Sequence, residues 1–104
     1  MEVYFGKEFR AMALNIEQQK RYERNLLVPG IGEAGQERLA AAKAAVVGLG
    51  GLGGPVCQYL VSAGVGCIGL IDAGVVELSN LQRQVLHNTP RVGRFKTDSA
   101  RESL

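Results

Sequence analysis

Cysteine is scarce in this 104-residue chain: Cys57 and Cys67 are the only two, with nine residues between them. That spacing is neither a CxxC pair nor a zinc-ligand pattern, and two cysteines are too few for a disulfide scaffold. Reduced thiols in a cytoplasmic setting are the simplest reading. An excess of either charge is also lacking. Twelve Lys and Arg stand against ten Asp and Glu, a net charge of +2, too balanced for a general polyanion binder, so nucleic acid is not an expected partner. The first residues carry Glu2, Lys7 and Glu8 instead of a basic stretch followed by an apolar run, so no signal peptide is read. There is no GxxxxGK[ST] loop, which excludes a P-loop NTPase, and no internal repeat or low-complexity tract.

Apolar residues, by contrast, are plentiful at 46%. A domain of this length buries roughly 65% of its unfolded surface, so disorder is not expected for most of it. From Ala44 to Ile71 there are 28 consecutive uncharged residues, long enough for a membrane span. Eight of them are glycine and one is Pro55. A spanning helix would be broken at 50–55, so a buried strand, loop, helix and strand explain the run better. No membrane partner is expected.

Residues 1–14 show no clear period and read as a loose extension. Asn15 can cap a helix over IEQQKRYERNLL, with Ile16, Tyr22, Leu26 and Leu27 facing inward. Val28-Pro29-Gly30 ends it, and Glu33–Ala42 fits a second short helix, acidic at its start. These helices occupy 15–43, and a nucleotide-binding unit starts at 44. Ala44–Gly48 is apolar on both faces, as in a strand buried within a parallel sheet. A glycine turn follows, then a helix with Pro55 in its first turn and Val56, Tyr59, Leu60 and Ala63 at helical spacing. Cys67–Ile71 is a second strand ending at Asp72. The order is β-α-β: an α/β, Rossmann-like parallel sheet. A further helix begins near Arg94 and the chain stops within it, so the fold is expected to be truncated after this first unit.

Gly48-x-Gly50-x-x-Gly53 follows a strand and opens a helix, where backbone N–H groups and the helix N-terminus suit a phosphate. Asp72, 24 residues after Gly48, stands where a carboxylate accepts ribose hydroxyls. A diphosphate such as that of NAD is largely served by backbone amides, whereas ATP brings about four negative charges and calls for cationic side chains. Arg83 and Lys96 are available, and residues 83–104 hold five basic residues against two acidic ones. The balance favours ATP. His87, the only histidine, reads as a structural loop residue, with no acid near it in sequence. Both cysteines read as small core residues.

The ordered motifs Gly48-Leu-Gly-Gly-Leu-Gly, Ile71-Asp72, Leu78-Ser79-Asn80-Leu81-Gln82-Arg83-Gln84 with Leu86-His87, and Gly93-Arg-Phe-Lys96 strongly resemble the MoeB/ThiF family, bacterial relatives of the ubiquitin-activating enzymes. Arg21-Tyr22-x-Arg24-x-x-Leu27 and Gly35-Gln36-x-x-Leu39 fit too, and Gln82 between Leu81 and Arg83 is closest to the MoeB side. The resemblance covers residues 15–104. It implies ATP-dependent adenylation of the C-terminal glycine of a ubiquitin-like sulfur-carrier protein of MoaD or ThiS type, in a molybdopterin or thiamine pathway. By the same resemblance Gly51 would lie against the nucleotide and Asp72 would hold the ribose. Ser79, Asn80, Leu81, Gln82 and Arg83 would form the segment contacting phosphates, and Lys96 would neutralise the leaving pyrophosphate. Arg24 matches an arginine that enters the neighbouring subunit's site, which implies a homodimer. From the residues alone, Arg24 would be a solvated helix face, Asn80 a turn or cap, and Lys96 a surface lysine.

Two departures stand out. The family's Asp-x-Asp after the second strand is here Asp72-Ala73-Gly74. The family's magnesium aspartate, CxxC zinc site and acceptor cysteine would all fall beyond position 104, so no metal ligand is assigned within the chain. An N-terminal fragment inactive alone is the expectation; the alternatives are a non-catalytic remnant with weak nucleotide affinity, or an NAD-binding dehydrogenase fragment. Met12 falls near where relatives begin, which would leave residues 1–11 untranslated.

Overall fold

The computed structural model describes residues 2–5 and 13–104; Met12 lies outside them. Asn15 caps α1 (Ile16–Arg21): its side chain accepts from the Gln18 N–H while the Gln18 side chain accepts from the Asn15 N–H, a reciprocal capping box. The expected single helix is in fact two. It breaks at Tyr22 (φ −99°, ψ 16°), and α2 (Glu23–Leu26) sets off anew. Ile16 and Leu27 are consequently 85% and 73% exposed, not inward-facing, while Tyr22 and Leu26 are half-buried. Two pieces of six and four residues cannot present one continuous apolar stripe.

Helix α3 (Gly32–Ala41) leads into β2 (Lys43–Val47), then α4 (Gly53–Ala63) and β3 (Cys67–Asp72). β2 and β3 are parallel, with Ala44 opposite Ile68 and Val46 opposite Leu70. This is the β-α-β unit expected, with α4 as the crossover. A strand that the sequence reading missed completes the sheet: β1 (Glu2–Phe5), within the stretch read as a loose extension, pairs antiparallel with β3 in the order β1-β3-β2.

Ala44, Val46, Ile68 and Leu70 share one sheet face and pack with Leu49, Cys57, Leu86 and Ala100. Burying each such leucine contributes about 1.5–3 kcal/mol. β2 was expected to be covered on both faces; instead Ala45 and Val47 are exposed, Val47 by 77%. The reason is position. β2 pairs only with β3 among the described residues, and Ala45 and Val47 lie on the face opposite the one that packs Ala44 and Val46 into the core. On α4 the buried positions are Gly54 and Cys57, so Val56 and Tyr59 point outward. Gly64 closes the helix in the left-handed conformation (φ 102°).

Beyond β3 the chain forms 3-10 turns at Leu78–Asn80 and Thr89–Arg91 and then α5 (Lys96–Ser103). The return is pinned by Val76 N–H on the Arg94 carbonyl and Gly93 N–H on the Val76 carbonyl, both at 2.8 Å. That pairing brings the start of α5 back beside the end of β3.

Candidate nucleotide site

Gly48 follows β2 with φ +91°, a region closed to most side chains, and its N–H donates to the Ile71 carbonyl at 2.8 Å. The turn then folds so tightly onto α4 that a Cβ on Gly53 would lie 1.6 Å from the Gly48 carbonyl oxygen. The first turn of α4 has no side-chain cap; the Gly54 N–H donates to the Gly50 carbonyl at 3.0 Å, the Val56 N–H to the Leu52 carbonyl at 3.3 Å, and Pro55 carries no N–H.

Leu49 anchors this turn. Its side chain is fully buried, and both of its backbone groups are held by side chains distant in sequence. The N–H donates to Asp72 Oδ2 at 2.8 Å, and the carbonyl is 2.9 Å from His87 Nε2. Asp72 Oδ1 in turn accepts the Gly74 N–H at 2.6 Å. His87 Nδ1 lies 2.8 Å from the Ser99 hydroxyl on α5. Burial holds the His87 pKa below the ordinary histidine value; Lys96 and Arg91 push the same way, while the Leu49 hydrogen bond and Asp72 oppose them.

Two cationic side chains flank this end of the sheet, Arg83 beside the glycine turn and Lys96 beside the loop after β3. The Arg83 Cδ lies 4.0 Å from the position a Cβ would take on Gly51, and its guanidinium donates to the Ser79 carbonyl at 3.2 Å. The Asn80 carbonyl accepts the N–H groups of Arg83 and Gln84, which fixes the 79–84 segment beside the turn. Lys96 is tied to Gly74 by its own N–H at 3.0 Å, and its Cε lies 3.7 Å from where a Gly74 Cβ would be. A side chain at 74 would therefore meet both Asp72 and the Lys96 stem; glycine leaves that space open. Neither Arg83 nor Lys96 has an ion-pair partner among the described residues.

Gly51, Asp72, Ser79, Asn80, Arg83 and Lys96 are thus brought to one end of the sheet. Leu81 sits in the same segment half-buried, and Gln82 is exposed there. Arg24 is not with them. It lies exposed on α2, which packs on α3, and the neighbouring Tyr22 and Gln36 side chains meet Gly64 at the C-terminal end of α4. Eleven residues of helix, about 16 Å, separate that end from the glycine turn. A groove of about 400 Å³ lined by Tyr22, Val61, Ile68, Leu70 and Arg101 includes none of the predicted site residues.

The sequence reading also missed Gln84 as part of this site. It is buried, its Nε2 lies 3.3 Å from a Gly50 Cβ position, and its Oε1 has no partner among the described residues. Its place in Arg83-Gln84 was the only available signal. Among the described residues no three His, Cys, Asp or Glu side chains gather as a metal cage.

A parallel strand, a glycine turn closing on a helix N-terminus, and an acid at the end of the next strand define a Rossmann-like nucleotide-binding unit, present here in part. The chain belongs to the ThiF family, whose model matches residues 22–104. It is 52% identical over 94 residues to a probable adenylyltransferase/sulfurtransferase MoeZ of Mycobacterium tuberculosis, covering 90% of this chain and 24% of that protein. It is 53% identical over 97 residues to the adenylyltransferase and sulfurtransferase uba4 of Aspergillus fumigatus, covering 93% of this chain and 20% of the relative. Among solved structures, E. coli tRNA N6-threonylcarbamoyladenosine dehydratase, TcdA, in complex with ATP superposes with a TM-score of 0.74 at 27% identity, covering 85% of this chain and 35% of that one. The chain therefore spans about a quarter or less of the length of these curated relatives.

Proposed function

We propose that the glycine turn, Asp72, Arg83 and Lys96 form one wall of an ATP site. In this reading the chain belongs to an enzyme that adenylates the C-terminal glycine of a ubiquitin-like sulfur-carrier protein. The observation that carries the reading is that two cationic side chains, without ion-pair partners among the described residues, flank this end of the sheet, Arg83 beside Gly51 and Lys96 beside Gly74. A diphosphate has little use for both; a triphosphate needs them. The relatives' printed names, adenylyltransferase and sulfurtransferase, support it, as does the fold shared with an ATP complex.

In this reading Asp72 keeps the turn in shape and offers its remaining lone pairs to ribose hydroxyls. The 79–83 segment, Ser79 and Asn80 included, lies along the phosphates. The carrier's carboxylate oxygen attacks the α-phosphorus, the bond to the bridging oxygen breaks, and pyrophosphate leaves with its charge met by Arg83 and Lys96. Magnesium would accompany the nucleotide; no step is assigned to it, and the family's zinc site has no counterpart in these residues. The finer reading places the chain on the MoeB side through Gln82, with a MoaD- or ThiS-type carrier in the cytoplasm. It divides the chain into an extension (1–14), N-terminal helices (15–43) and the nucleotide-binding portion (44–104). The distance of Arg24 from its own turn supports a homodimer in which it serves the neighbouring subunit.

Calorimetric titration of the 104-residue chain with ATP and with NAD tests this reading. ATP binds, and Arg83→Ala loses about 1.5–3 kcal/mol, roughly 10- to 150-fold in affinity, as expected for one charge-assisted phosphate contact. The chain alone does not exchange pyrophosphate into ATP in the presence of a carrier. Uptake of NAD without ATP affinity would overturn the assignment.

A further inference from the structure

The contacts of His87 form a strut between two parts of the candidate site. Its Nε2 faces the Leu49 carbonyl at 2.9 Å, and its Nδ1 faces the Ser99 hydroxyl at 2.8 Å. A carbonyl oxygen can only accept, so Nε2 must carry the proton. In the neutral imidazole Nδ1 is then the acceptor, and Ser99 must donate to it. The tautomer is thereby set by the backbone of the glycine turn. Ser99 lies three residues after Lys96 on α5, a spacing that puts the two on one side of the helix. The Arg91 guanidinium donates to the Ser99 carbonyl at 3.1 Å and to the Ser103 hydroxyl, securing α5 from beyond.

We propose that His87 is a positioning residue that fixes the spacing between the glycine turn and the helix carrying Lys96. One ring nitrogen holds the turn and the other holds α5. The turn supplies backbone donors and Lys96 supplies an ammonium group, so the strut sets how far apart these two phosphate-binding elements stand. This goes beyond packing. A core filler of equal size would occupy the same volume, yet it would leave the buried Leu49 carbonyl without its side-chain donor and the buried Ser99 hydroxyl with only the longer Arg91 contact at 3.5 Å. Its consequence for nucleotide affinity rests on the proposed ATP site; the geometric claim does not.

Two variants separate the arms. The amide nitrogen of Gln in His87→Gln can reach the position of Nε2 and keep the Leu49 bond, but it leaves Ser99. The shorter His87→Asn can place an acceptor near Nδ1 and keep Ser99, but it leaves Leu49. In ligand-free ¹H–¹⁵N spectra of the 104-residue chain, the Gln variant preserves the amide positions of Gly50, Gly51 and Gly53 and moves those of Thr97–Ala100. The Asn variant does the reverse. Each lost hydrogen bond weakens ATP binding about fivefold. Should both variants shift the same amides, or neither shift any, His87 is a filler and the proposal fails. In the unmutated chain, the ring ¹⁵N signals show protonated Nε2 and bare Nδ1; the opposite tautomer would overturn the strut even if a variant fails to fold. If the amides dissociate as stated and ATP does not bind, the ATP site falls and the positioning role stands.

Discussion

Replacing Gly53 with alanine sets two known effects against each other. Gly53 is the first residue of α4. Helix propensity alone makes Gly→Ala favourable by up to about 1 kcal/mol. The structure says otherwise: the added methyl would sit 1.6 Å from the Gly48 carbonyl oxygen and 2.7 Å from its carbon. Both partners are backbone, and Gly48 is held by its N–H bond to Ile71, so relief requires the turn to open. Overpacking of this kind costs about 1–3 kcal/mol, and a rigid backbone neighbour puts it at the upper end. The net expectation for Gly53→Ala is a loss of about 2 kcal/mol. Gly51→Ala, two residues earlier, meets only the Arg83 Cδ at 4.0 Å and changes stability by less than about 0.5 kcal/mol. Urea unfolding followed by circular dichroism, with midpoints compared at constant slope, measures both. If Gly53→Ala is as stable as the parent, the turn does not close on the helix as described.

Asp72→Asn weakens the two backbone hydrogen bonds from Leu49 and Gly74 from charge-assisted to neutral and lowers unfolding free energy by about 1–2 kcal/mol in the same assay; an unchanged midpoint would remove Asp72 from its structural role. Because the folded-state pKa of His87 is lowered, the unfolded chain binds more protons between that value and about 6.5. The stability His87 confers is therefore full above pH 6.5 and declines as pH falls through the folded pKa, and urea midpoints of His87→Gln lack this part of the pH dependence. Cys57 is fully buried with its thiol pKa raised by burial, and Cys67 is buried as well; a thiol reagent labels neither at an appreciable rate until the chain is unfolded, and fast native labelling of Cys57 would contradict the packing around α4.

What could be read from the sequence follows the range of the interactions involved. The β-α-β unit was legible because Ala44–Val47, the glycine turn and Cys67–Asp72 carry their signals within a few residues. Asn15 was legible for the same reason, since its cap partner is Gln18. β1 was not: the chain segment EVYF has no period, and only the open side of β3, about 65 residues later, makes it a strand. The exposure of Val47 is likewise set by which face of β2 turns away from the core among the described residues, which local pattern does not encode. His87 looked like an isolated loop histidine because its partners lie 38 residues back and 12 residues ahead. Motif order pointed to Arg83 and Lys96, and the fold supplies the turn at 93–95 that returns Lys96 to Gly74.

The register of β1 has a practical corollary for handling the protein. Glu2 stands opposite Asp72, and the strand runs from there away from the glycine turn toward Phe5. Anything fused ahead of Glu2 would emerge beside Asp72, at the rim of the proposed nucleotide site, where a polyhistidine tag would interfere with a test of that proposal. Affinity handles and fluorophores intended to be bystanders belong elsewhere, whereas a reporter dye meant to sense occupancy is best attached there.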